Sequence, residues 1–418
     1  MEDPMASETL APPRSGARTG QLRALLDAPM TPFYLIVASV GFLVGVGTLM
    51  VLSSSAVIAQ SAGRSPYYYV IRQVLFLPVG VLGAFLLSRF SLQQLIRIGW
   101  FVWALATVLL LLLFTPLGIE IYGNRNWLSL GIIQIQPSEF AKLSLIVFAA
   151  SVFHQRRRQL HEPVRLVWPF VPLSGVLLLL VLAGNDVGTG LVMGAIFVLL
   201  LWFVGTPVRV LLPLGVAGSV LVGLLVYGSE NRMRRIAIFL DPTSNTDLSS
   251  QPMAALYALA SGGWWGVGLG ASRQKWGGLK TGAHTDYIFA VIGEELGLFG
   301  VLAILLAFAV LAWAGLEVAW RSKELFARVA AAAITGWFVV QAIINIFVVL
   351  HLLPVLGVPL PFVSSGGSAL LANLLAVGVL LACARHTPDA ERYLRAKKRR
   401  KGQHRRMTSV MAATKGDS

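Results

Sequence analysis

Three features of the sequence lead to an all-α, polytopic membrane protein of about ten transmembrane helices. Of its 418 residues 56% are hydrophobic and 13% charged, with a mean hydropathy of +0.73, which is too apolar for a water-soluble globule. Apolar runs of about 18 to 25 residues recur along it, each long enough to cross about 30 Å of hydrocarbon. Basic residues collect in alternate connections between those runs, as the positive-inside rule requires of a multi-pass chain.

Residues 1–31 form a tail rich in Pro, Ser, Gly and Ala that reads as disordered, with no apolar core of a secretory signal before Pro32. The membrane domain follows over 32–385. Its first three spans cover Phe33 to Ser55, Val70 to Ser88 and Ile98 to Phe114. A loop from Thr115 to Gln136 carries GNRNW, and the fourth span runs from Pro137 to Phe153. Spans five to seven cover Leu166 to Ala183, Gly188 to Val204 and Val210 to Tyr227, with AGND as the short link between five and six.

Gly228 to Ala283 is the longest connection, too long for an idle turn. Its aromatic and small residues suggest short interfacial helices, with Trp264 and Trp265 at the interface level. The eighth span, Asp286 to Val318, is longer than hydrocarbon needs, so Gly293, Gly297 and Gly300 are expected to allow a bend or close packing. Spans nine and ten cover Ala327 to Leu352 and Gly366 to Ala384, and 386–418 is a basic tail.

Arg89, Arg97, Arg156 to Arg158, Arg165, Arg209, Arg321, Lys323 and Arg328 share one side if ten helices alternate, together with both tails. That side is the cytoplasm, and the large loop between helices 7 and 8 lies outside. RAKKRRKGQHRR in the tail suits anionic lipid headgroups, so the net charge of +15 is not read as a nucleic-acid signal.

Chemistry is therefore sought in the outer loops. His284, Thr285 and Asp286 stand where the long connection becomes a helix. A carboxylate there suits work on a lipid-linked molecule; equally, Thr285 could cap the helix and Asp286 favour its dipole. Glu139 and Lys142 lie within two turns of the fourth helix start, either facing an aqueous cavity or simply pairing with each other. Arg232, Arg234 and Arg235 form a basic cluster on the side where such charge is disfavoured, either a phosphate clamp or a solvated loop beside Glu230 and Asp241. GVGLG lacks the strand and helix of a dinucleotide site, and the six histidines and lone Cys383 show no metal-ligand spacing. His351 with Ser364 or Ser365 is a conceivable base and nucleophile, but SSGGS reads better as close packing.

Five motifs in order, QPSEFAKL, AGNDVGTG, GGWWGVGLGASRQKWG, AHTDYIFAVIGEELG and PVLGVPLPFVSSGGS, resemble the FtsW/RodA (SEDS) family of cell-wall polymerases over Pro32 to Arg385. The chain is most similar to the cell-division branch in its actinobacterial form. The resemblance implies ten helices and a processive peptidoglycan glycosyltransferase joining lipid II units at the outer face of the bacterial cytoplasmic membrane, at the division septum. It implies a catalytic aspartate at Asp286, acting as base on a sugar hydroxyl while polyprenyl pyrophosphate departs with inversion. Such a leaving group needs positive charge, from arginine, lysine or a bound divalent cation, and no other cofactor is implied.

His284 and Thr285 are then orienting groups, Lys142 and Glu139 hold sugar or pyrophosphate, and Arg125, Trp127, Arg232 and Arg235 touch substrate. Gln341 and Asn345 face the cavity. The implied partners are lipid II, the nascent glycan strand, a class B penicillin-binding protein and other divisome proteins. Two alternatives are a lipid II flippase, with ionisable groups near the midplane, and a non-catalytic scaffold, which would tolerate loss of Asp286.

Overall fold

The structure, a computed structural model, describes residues 27–121, 123–131, 133–159, 168–241, 250–279, 282–397 and 399. The expected disorder of the first tail lies outside these residues except at 27–31, as does most of the basic tail. Each of the ten expected apolar runs is a helix. They are α1 (Thr31–Ser61), α2 (Tyr68–Ser88), α3 (Leu92–Leu111), α4 (Pro137–Gln155), α5 (Phe170–Ala183), α6 (Val187–Phe203), α7 (Val208–Tyr227), α10 (Ile288–Arg321), α11 (Leu325–Val349) and α12 (Gly367–Arg385). The chain is a multi-pass membrane protein: among the described residues seven of these helices are long and apolar enough to span by themselves. α5 and α6 are shorter, at 14 and 17 residues, and α4 carries Glu139 and Lys142 in its first turns.

α11 is at the centre, its Trp337 and Phe338 fully buried, with α4, α6, α10 and α12 packed around it. Contacts also gather basic residues at one end of the bundle. Arg385 at the end of α12 donates to the Ser88 carbonyl at the end of α2, and Arg157 and His154 at the end of α4 face Glu324 before α11.

The expectation of a wholly α-helical chain needs one correction. The loop before α4 folds as an antiparallel sheet, β1 (Gly118–Ile121), β2 (Asn124–Leu130) and β3 (Ile133–Ile135), with β2 in the middle. Gly123 (φ 81°) and Gly131 (φ 78°) supply the left-handed turns that short hairpins need. GNRNW is thus the first turn and β2 itself. The long connection does contain two helices, α8 (Glu230–Leu240) and α9 (Ser250–Ser261), and Trp264 and Trp265 after them are exposed.

α10 is broken at Gly297 (φ 65°, ψ −165°), which divides it into a short first arm and a long second one. A break strands backbone donors and acceptors that must find partners elsewhere. The loop after α9 provides them: Leu298 N donates to Gly263 O (2.9 Å), while Val267 N and Gly268 N donate to the Glu294 and Glu295 carbonyls (2.9 and 3.1 Å). Both glutamate side chains are buried and turn toward the same loop. Glu294 accepts from Ser272 Oγ (2.5 Å) and Arg273 N (2.8 Å), and Glu295 from Lys275 Nζ (2.9 Å) and from Ser53 Oγ of α1 (2.7 Å). The first arm of α10 is therefore tied to the loop as well as packed in the bundle.

Candidate active site

A cavity of about 630 Å³ opens between β2, the α5–α6 turn, α8, the segment Pro354–Gly357 and the turn before α10. Asp286 and Thr285 line it, with Trp127, Arg232 and Arg235. Five residues singled out from sequence thus share one space, although they come from three distant stretches.

The turn 282–287 that presents Asp286 is fixed through its backbone. Tyr287 N donates to Gly282 O (3.1 Å), Ser365 N to His284 O (2.9 Å) and Ser364 Oγ to Thr285 O (2.7 Å). Asn345 Nδ2 on α11 donates to both Asp286 O and Val358 O (2.9 Å each). SSGGS is thus a clamp on the turn, and Ser364 is committed to it. Thr285 and Asp286 do not cap α10: the helix begins after Tyr287 with no side-chain cap, and Thr285 Oγ1 donates back to Gly282 O.

The Asp286 carboxylate is left without a hydrogen-bond or ion-pair partner among the described residues. Burial pushes it up to about 6, and Arg235 opposes the shift. Burial pushes His284 down to about 4, so its ring is neutral at physiological pH; it packs against Tyr69 at 4.8 Å between centroids, away from the cavity. Burial, then the neighbouring Asp286 charge, raises Tyr287.

Arg232 is held by carbonyls, Nη1 to Leu225 O (2.7 Å) and Nη2 to Asn185 O (3.0 Å), and Arg235 Nη1 donates to Val355 O (3.1 Å). Neither forms an ion pair among the described residues, so their charge is available to an anion in the cavity. No group of three or more His, Cys, Asp or Glu that could hold a metal comes together among the described residues. Among the described residues that line the cavity, the cationic side chains are those of Arg232 and Arg235.

The remaining expected residues are not brought to the cavity wall. Lys142 is 1% exposed, its Nζ bonded to Glu139 Oε1 (2.8 Å) and Gln341 Oε1 (3.0 Å) and lying 4.9 Å over the Trp337 ring. Gln341 Nε2 donates to Pro359 O (2.8 Å). Lys142, Glu139 and Gln341 thus form a buried group that holds Pro359, while Asn345 joins Val358 to the Asp286 turn. Arg125 Nη2 donates to Thr115 O (2.8 Å), between the end of α3 and β1. Conversely, sequence reasoning passed over Asn126, Gln136, Asn185 and Asp186, all in the cavity wall. Asp186 could have been found as an acid at a helix start with no basic neighbour in AGNDVGTG.

The FtsW/RodA/SpoVE family of cell cycle proteins matches residues 34–389. The chain belongs to this family. It is 37% identical over 391 residues to the probable peptidoglycan glycosyltransferase FtsW of Mycobacterium bovis, covering 93% of this chain and 74% of the relative. It is 36% identical over 368 residues to the stage V sporulation protein E of Bacillus subtilis, covering 85% and 98%. Among solved structures, a chain of a peptidoglycan synthase complex that coordinates polymerisation and crosslinking superposes with a TM-score of 0.68 at 27% identity, covering 84% of this chain and 97% of that one. In this FtsW/RodA/SpoVE chain the Asp286 turn and the helices α1 to α12, but for the first three residues of α1, fall inside the matched region.

Proposed function

We propose that this protein polymerises lipid II into glycan strands at the outer face of the cytoplasmic membrane during cell division. The observation that carries the reading is the Asp286 carboxylate, unpaired and lifted toward neutral pH, in a cavity that also holds two arginines without carboxylate partners. A base with its pKa just below the working pH is charged when substrate arrives and still strong enough to take a proton. Asp286 takes the proton of the acceptor hydroxyl as that oxygen attacks the anomeric carbon of the donor. The bond to the polyprenyl diphosphate breaks with inversion, and Arg232 and Arg235 stabilise the departing anion. One carboxylate suffices, because diphosphate leaves without the protonation that an alkoxide needs.

The topology that goes with this reading has ten spans, both termini in the cytoplasm and the cavity outside, at the septum. The partner is a class B penicillin-binding protein, a reading supported by the likeness to a chain of a synthase complex that also crosslinks. Asn345 serves the reaction by holding the Asp286 turn, and Lys142, Glu139 and Gln341 by holding Pro359. The test is polymerisation of lipid II by the protein with its cognate transpeptidase, comparing wild type with Asp286→Ala and Asp286→Asn, each shown to fold and to bind the partner. Glycan chains from wild type and none from the variants support the assignment; equal polymerisation by all three sinks it.

A further inference from the structure

Asp186 caps α6 by accepting from Thr189 N (3.1 Å) through Oδ1, and is 8% exposed. Its other oxygen, Oδ2, accepts from Asn126 Nδ2 (3.1 Å), Gln136 Nε2 (3.1 Å) and Ser138 Oγ (3.3 Å). A carboxylate has only acceptors, so an amide within hydrogen-bond distance of it must turn its NH₂ toward it. This settles the orientation of both amides on chemical grounds. Their carbonyl oxygens, Asn126 Oδ1 and Gln136 Oε1, face away from Asp186 and have no hydrogen-bond partner among the described residues, while both residues line the cavity. The wall that Asp186 organises is thus a pair of oxygen acceptors, whereas Arg232 and Arg235 bring donors and positive charge to the same space.

The geometry points to a sugar-reading subsite: Asp186 is a positioning residue that locks Asn126 and Gln136 so that their oxygens accept from the hydroxyl and amide N–H groups of an amino-sugar. This rests on the lipid-linked substrate proposed above. Diphosphate oxygens only accept, so such a wall gains nothing from the diphosphate and discriminates between the two halves of the substrate. The arginines bind the diphosphate half.

Equilibrium binding to the purified full-length protein in lipid nanodiscs tests it with two probes, lipid II and undecaprenyl diphosphate, which lacks the sugars. Asp186→Asn keeps a good helix cap but frees both amides to turn. It is expected to weaken lipid II binding roughly tenfold and undecaprenyl diphosphate binding by less than about twofold. Gln136→Met, which leaves Asp186 in place, is expected to show the same selectivity. Arg232→Ala is expected to weaken both probes. Equal loss of the two probes in Asp186→Asn and Gln136→Met, or no loss of either, would overturn the subsite. If Arg232→Ala weakens neither probe, the proposed cavity itself falls, and the subsite with it.

Discussion

Asp286 and Glu295 lie nine positions apart in one motif, and their surroundings are opposites. Glu295 is 1% exposed and accepts from Lys275, Ser53 and the Gly270 and Ser272 amides, so every lone pair it has is engaged. Asp286 is half-buried, faces a cavity and has no partner. A saturated carboxylate holds structure together, because its charge is already neutralised and its oxygens are taken. A carboxylate that no protein donor holds keeps its basicity for an incoming proton.

The largest effect expected from breaking this contrast is on chemistry. Asp286→Asn should lower polymerisation by about 10² to 10⁴-fold while leaving the thermal midpoint close to wild type, measured as glycan product and by thermal unfolding in detergent. Glu295→Ala should do the reverse, stranding Lys275 inside the fold at a cost of about 3 to 5 kcal/mol. It would show as a lower thermal midpoint and yield, with the remaining folded protein still active.

Gly297→Ala is expected to cost about 1 to 3 kcal/mol in the same unfolding assay. A Cβ there would lie 2.3 Å from Gly266 N, at a backbone angle L-residues avoid.

The smallest effect sharpens the Asp286 side. Its carboxyl is raised to about 6 and works as a base, so polymerisation should be lost as pH falls through about 6 and level off above it. Arg235 lowers that value, so Arg235→Ala should move the acid limb to higher pH, by less than about one unit. A limb that stays in place would show that Arg235 does not act on Asp286.

What was legible in the sequence follows from the range of each interaction. Apolar runs report burial in lipid residue by residue, so all ten helices could be read, and the glycines near 297 announced the break in α10. Asp286 stood out because a lone acid at a loop-to-helix boundary is locally odd. Lys142 and Glu139 looked like site residues for the same reason, yet their partners Gln341 and Trp337 lie on α11, some two hundred positions away, and only the fold shows them enclosed. Asp186 was passed over on the same account, its donors coming from β2 and the start of α4. The sheet escaped because its three strands are short, with glycine turns that also suit an irregular loop.

The stapled break at Gly297 separates two mechanical duties. The long second arm of α10 is apolar and long enough to cross the membrane. The first arm, with Asp286 two residues before it, is tied to the loop 263–275 and through Ser53 to α1. Gly297 is the joint between them. Because the loop bonds both sides of that joint, Leu298 and Phe299 on the far side as well as Glu294 and Glu295 on the near side, the angle between the arms is fixed and the reactive carboxylate keeps its register with the cavity.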